Sequence, residues 1–138
     1  MPKIALTAPV GSLTDEGRAT IQKTLAAALL KWEGAPDNEF FRAQAWSYLN
    51  EFPAGAQTTG QDEDARFLVD VTVPAGALSD RRKAGLVEEV TQSVLAAAAL
   101  DANQALRVWV LIHEQADGTW GAGGKVIRFA DLVALAKA

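Results

Sequence analysis

Two rhythms of apolar and polar residues run along this chain, and each occurs twice. Ile4 to Thr7 is a short apolar stretch that reads as a strand. After Pro9 and Gly11, Thr14 stands where a helix N-cap is expected, and Asp15 and Glu16 fill the first turn, where the helix dipole favours acids. Ile21, Leu25, Ala28, Leu29 and Trp32 then recur at i, i+4, i+7, i+8 and i+11, one apolar stripe of an amphipathic helix closed by Gly34 and Pro36. Phe41 to Glu51 alternates loosely and carries aromatic residues, which predicts a second strand. Pro53 to Asp64, polar and glycine-containing, predicts a connecting loop.

The pattern then starts again. Phe67 to Val73 reads as a strand, and Pro74, Gly76, Leu78, Ser79 and Asp80 repeat Pro9, Gly11, Leu13, Thr14 and Asp15 at a shift of 65 residues. Ser79 is the second N-cap, and Leu86, Val90, Val94 and Leu95 form the second buried stripe. Leu106 to His113 is the following strand; a shift of 63 pairs Trp46 with Trp109 and Glu51 with Glu114. This is an internal duplication of a strand-helix-strand unit, about residues 1–55 and 66–138, in a single domain. Each unit should have parallel strands and a right-handed crossover. Joined edge to edge, the two give an α+β fold, a four-stranded sheet with both helices on one face. The glycine-rich turn from Ala116 to Gly124, a short strand at Lys125 to Phe129 and a short helix at Ala130 to Lys137 complete it as a C-terminal hairpin and helix.

The sheet's other face invites a partner. Leu106, Val108, Val110 and Ile112 should lie under the helices, whereas Arg107, Trp109, Leu111 and His113 point away from them. Arg42, Gln44, Trp46, Tyr48 and Asn50 share that second face by the same alternation. It is too apolar for water and no third layer remains to cover it, so a homo-oligomer that packs sheet faces together is expected.

Composition narrows the chemistry. The 138 residues hold no cysteine, which excludes disulfides, thiolate metal sites and a cysteine nucleophile. A net charge of −4 with scattered Lys and Arg argues against nucleic acid. No apolar run reaches the roughly 18 residues that span a bilayer, and no signal peptide is evident, so a cytoplasmic location is expected. No metal and no cofactor is expected. One residue stands out at the start. Removal of Met1 would make Pro2 a terminal secondary amine, whose ordinary pKa lies near 8, and a cation or dry pocket would bring it toward neutrality, where a general base works best. His113, the sole histidine, and Asp37 and Glu39 after the first helix are further candidates. Gly121, Gly123 and Gly124 do not form a phosphate loop, because no helix follows directly and no Gly-Lys-Ser/Thr occurs.

A duplicated β-α-β unit beginning Met-Pro resembles the tautomerase superfamily. The segment Leu111-Ile112-His113-Glu114-Gln115-Ala116-Asp117-Gly118-Thr119-Trp120-Gly121-Ala122-Gly123-Gly124 is similar to the end of a 4-oxalocrotonate tautomerase subunit, a strand ending in an acid followed by a glycine-rich hairpin. Total length is similar to the double-length members, malonate semialdehyde decarboxylase and cis-3-chloroacrylic acid dehalogenase. The resemblance implies a homotrimer with one site per chain, since the position 65 after Pro2 is Phe67. It implies a cofactor-independent tautomerase acting on a small keto-enol acid, with Pro2 as general base. It also implies Trp120 as a wall of the site. The arginines that members carry after the strand opening a unit are absent from Ala8–Leu13 and Val73–Leu78, and one strand arginine aligns with Trp109. Arg107 is the nearest substitute for carboxylate binding, with Arg42 and Arg128 weaker ones, and Trp109 lines the pocket. Two alternatives stay open: a decarboxylase, hydratase or dehalogenase of a small acid, with Asp37 or Glu39 activating water, and a ligand-binding member that retains Met1 and catalyses nothing.

Overall fold

The computed structural model describes residues 1–138. Strand β1, Lys3–Pro9, leads into helix α1, Asp15–Glu33, and a five-residue helix α2, Glu39–Ala43, precedes strand β2, Trp46–Phe52. The second unit has strand β3, Phe67–Pro74, helix α3, Asp80–Ala97, a 3-10 turn at Ala102–Arg107, and strand β4, Val108–Gln115. A hairpin of β5, Trp120–Ala122, and β6, Lys125–Ile127, and helix α4, Phe129–Lys137, end the chain.

The sheet order is β2-β1-β3-β4. Each unit's strands are parallel, and the two units meet antiparallel through β1 and β3. The duplication persists in single hydrogen bonds. Val10 N donates to Phe52 O at 2.7 Å, and 65 residues on, Ala75 N donates to Gln115 O at 2.8 Å. Both turns use a glycine at positive φ, Gly11 at 80° and Gly76 at 93°, a conformation that costs other residues energy.

One sheet face is fully covered. Ile4, Leu6, Val69, Val71 and Val73 are 0–2% exposed beneath Ile21, Leu25, Leu29, Leu86, Val90 and Val94 of the helices. Thr14 and Ser79 cap as expected: their side chains accept from Gly17 N and Arg82 N. Helices α1 and α3 run antiparallel and close together; Thr14 N and its hydroxyl both bond Ala97 O, and a Cβ on Gly17 would lie 2.2 Å from that same oxygen. The other face carries Trp46, Tyr48, Phe52, Trp109 and Leu111, each 42–66% exposed. No helix is long and apolar enough to cross a membrane.

Three boundaries differ from the sequence pattern, the smallest at the C-terminal end, where β6 stops at Ile127 and Phe129 already opens α4 with Arg128 as its N-cap. Phe41 to Glu51 is not one strand: the Asn38 side chain accepts from Phe41 N at 3.0 Å and starts α2, which turns Phe41 into the core and leaves Phe40 edge-on against it. Arg42 and Gln44 therefore lie on α2 and its C-cap, not on the sheet face with Trp46. Likewise Leu106 and Arg107 precede β4 in the 3-10 turn. Leu106 is 89% exposed instead of lying under the helices, because the turn rotates it away before the strand alternation begins.

The contact between helices gives a direct test. Gly17→Ala should lower stability by roughly 1–3 kcal/mol, because the atoms the new Cβ would meet, Ala97 O, Cα and C, are backbone and cannot step aside. Thermal melts should show a fall of several degrees; an unchanged midpoint would contradict the close approach.

Candidate functional site

Antiparallel pairing of the units brings one end of every main-sheet element to the amino terminus. Pro2 is buried, and its carbonyl accepts from Trp46 N at 3.1 Å, so the residue is fixed at the lip of the sheet. Helix α1 returns over β1 and ends here at Glu33. Helix α3 starts here, and β3 and β4 end here.

The polar groups at this end converge from those elements. Arg82 Nη1 donates to Glu33 O at 3.0 Å, and Lys83 Nζ pairs with Glu114 Oε1 at 2.6 Å, which raises the lysine above its ordinary range. Burial pushes the Glu33 carboxyl up to about 7, and the charge of the amino terminus opposes that shift. The Met1 α-amino group is lowered by the same burial, with Glu33 acting the other way. A carboxyl and an amine thus share a poorly solvated corner in which neither charge is cheap. Glu33 was not singled out from the sequence: a glutamate closing an amphipathic helix looks solvated until the crossover places it over the amino terminus.

On the open side of the same end, Lys3, Thr72, Gln115, Thr119, Trp120 and Gly121 line a shallow cleft of about 230 Å³. Gln115 Nε2 donates to Thr119 Oγ1 at 2.8 Å, tying the hairpin to the end of β4. Trp120 is therefore brought to the Pro2 end.

Arg107 and Trp109 are not. Register pairs Lys3 with Thr72 and Thr72 with His113, but Thr7 with Leu68 and Leu68 with Trp109. At about 3.3 Å per strand residue, Arg107 stands on the order of 20 Å from Pro2 along the sheet. There Arg107 Nε donates to Ala65 O at 2.9 Å and its Nη1 to Gln104 Oε1 at 3.4 Å. Thr7, Phe52, Leu68, Trp109 and the loop before β3 surround a larger cleft of about 510 Å³. Arg42 stands in neither cleft and pairs with Asp37 at 2.5 Å on the exposed rim of α2. Arg128 reaches Asp117 at 4.0 Å beside the hairpin, and His113 Nε2 meets Asp70 Oδ1 at 2.8 Å on the open face.

The sequence model of a family described as Tautomerase enzyme matches residues 68–130. No curated protein sequence matches the chain. Solved structures do. A fused 4-OT protein in a wild-type asymmetric trimer superposes with a TM-score of 0.75 at 20% identity, covering 96% of this chain and 98% of its own. A member of the cis-3-chloroacrylic acid dehalogenase family gives 0.74 at 21% identity, with coverages of 91% and 82%. The macrophage migration inhibitory factor of Toxoplasma gondii gives 0.67 at 12% identity, with 91% and 99% covered. At these identities the likeness is one of fold.

The corner at Glu33 predicts a pH dependence of stability. With Met1 in place, the folded carboxyl titrates near 7 and the unfolded one near its ordinary 4.5, so folding is favoured by this group below pH 4.5 and loses that contribution as pH rises to 7. Glu33→Gln, which mimics the protonated acid, should nearly match the parent at pH 4.5 and exceed it by about 3 kcal/mol at pH 8 in urea unfolding. Equal stability differences at both pH values would contradict a buried Glu33.

Proposed function

We propose that this chain, a tautomerase-superfamily protein by its double-length fold and by the family match over residues 68–130, is a cofactor-independent tautomerase whose base is the Pro2 amine. Its substrate is a small keto-enol acid. The observation that carries the reading is the placement of Pro2: buried at the lip of the sheet, in a corner that lowers the pKa of an amine. Once Met1 is removed, the Pro2 secondary amine becomes the terminus at this same lip, beside Glu33. It takes the proton from the enol oxygen and delivers it to the carbon beside the C–O carbon, forming a C–H bond as C=C becomes C–C and C–O becomes C=O, with the reverse for the ketone, so no net oxidation or hydrolysis occurs.

Arg107 and Trp109 join this chemistry only across a subunit boundary, because within one chain they stand at the far end of the sheet. Two fused 4-OT relatives are trimers, one asymmetric and one symmetric, the latter with a TM-score of 0.73. We place this chain in a homotrimer too, with its exposed sheet face turned toward other copies and Arg107 of one copy holding the carboxylate of a substrate at Pro2 of another. Trp120 walls the site from the Pro2 end. The chain acts as a single domain of two repeats, and we place it in the cytoplasm.

One observation favours a second reading. Glu33, and not Asp37 or Glu39, is the acid beside the amino terminus, and a carboxylate there can activate water for hydration or for decarboxylation of a small acid. The readings separate by product. Protein with Met1 removed, verified by intact mass, should interconvert an enol acid and its ketone. Pro2→Ala should lower kcat/KM at least 100-fold. Undiminished turnover in that variant, or a full-length mass in natively produced protein, would overturn proline catalysis and favour a binding role.

A further inference from the structure

Catalysis by Pro2 needs a reaction at the peptide bond that precedes it, and the fold controls access to that bond. For a chain whose synthesis starts at Met1, hydrolysis adds water to the Met1 carbonyl carbon and breaks its bond to the Pro2 nitrogen. Free methionine leaves, and Pro2 keeps a protonatable secondary amine. An aminopeptidase has to grip the α-amine, the methionine side chain and the residues after the scissile bond together, drawn out from the rest of the chain. A terminus yields to that according to the burial and hydrogen bonding of its backbone, not because it is a terminus.

The backbone just after this bond is held on both sides. Pro2 is buried, and its carbonyl accepts from Trp46 N at 3.1 Å. Lys3 already pairs with Trp46 on one side and Thr72 on the other, because β1 lies inside the sheet and not at its edge. Ile4, opposite Val71, is fully buried. An edge strand could peel away alone; drawing out β1 strips β2 from β3 and parts the two repeats. The near side of the bond is confined as well. The Met1 amine stands in the poorly solvated corner beside Glu33, at the close of α1.

We propose that the folded chain shuts the Met1–Pro2 bond away from aminopeptidase, so that Met1 leaves before β1 pairs with β3 or not at all. A folded domain opens globally in fewer than about one molecule in a thousand, and a bond exposed only by that opening is cut in proportion. The window is short. Strand β3 ends at Pro74, and at roughly 5–20 residues per second synthesis reaches it in about 4–15 s. Molecules that keep Met1 past this point carry the Pro2 nitrogen as an amide, with no basic lone pair, so the active fraction is set during synthesis. That last consequence rests on the reading of Pro2 above. The block on cleavage does not.

Intact mass reads the block without any turnover. The full chain is purified with Met1 in place from cells whose methionine aminopeptidase is inhibited, then incubated with that purified enzyme beside the peptide Met1–Thr7. The peptide should lose methionine at least 1,000-fold faster than the folded chain. Gly17→Ala, which strains the helix contact, and Val71→Ala, which hollows the core opposite Ile4, should each raise the rate on the chain 5-fold or more. Either variant keeps the test alive if the other fails to fold. Cleavage of the folded chain within 10-fold of the peptide would overturn the inference, as would a rate that neither variant changes. Resistance that disappears on dilution would assign the block to a neighbouring copy and overturn it too. A resistant Met1 form alongside a Met1-free form that turns over no enol acid would overturn only the proline chemistry.

Discussion

The antiparallel pairing of β1 with β3 is the constraint on which the rest of this molecule depends. Each β-α-β unit alone would bury a single helix against two parallel strands, too little apolar surface for stable independence. Pairing Lys3 with Thr72 through Thr7 with Leu68 merges the two into one sheet and brings both helices to one face. The same pairing decides where chemistry sits. It gathers the start of β1, the end of α1, the start of α3 and the ends of β3 and β4 at one lip. It sends the start of β4 and the inter-repeat loop to the other.

Those two ends differ in character. The Pro2 lip is a dry corner in which Glu33 and the amino terminus compete for protons, with Lys83 and Glu114 already neutralising each other. The far end is wider and more apolar, with a cation that no carboxylate answers. The base proposed at Pro2 and the carboxylate receptor proposed at Arg107 stand about 20 Å apart in one chain, so the proposal requires copies that bring the two ends together. The uncovered face, with Trp46, Tyr48 and Trp109 standing in water, gives such packing its hydrophobic drive.

Much of this was legible from the sequence because the duplication repeats its punctuation. Thr14 and Ser79, Gly11 and Gly76, and the two leucine-rich stripes each have one physical role and take it up. The four-stranded sheet and its covered face follow, whereas the joining of the units through β1 and β3 is seen only in the structure. Where the pattern misled, a local bond overrode it. Asn38 caps a helix that the aromatic alternation around Phe40 and Phe41 disguised as strand, and a 3-10 turn at the mouth of β4 reversed the facing of Leu106. The site was harder to read. Pro2 and Trp120 lie at the same end of the sheet. Glu33 was invisible, since it looks like a solvated helix end. Its burial depends on a crossover that no periodicity encodes.

The central claim, that the sheet's lip holds Pro2 as a base with a depressed pKa, is tested most directly by nitrogen NMR of protein labelled with ¹⁵N-proline. Titrated with pH, the resonance of a terminal Pro2 should shift with a midpoint below the ordinary value of about 8 for an α-amine, and move further down in Glu33→Gln, where the opposing carboxylate is gone. A Pro2 resonance that does not titrate, as an amide nitrogen would not, or one that titrates at or above that ordinary value, would contradict the account.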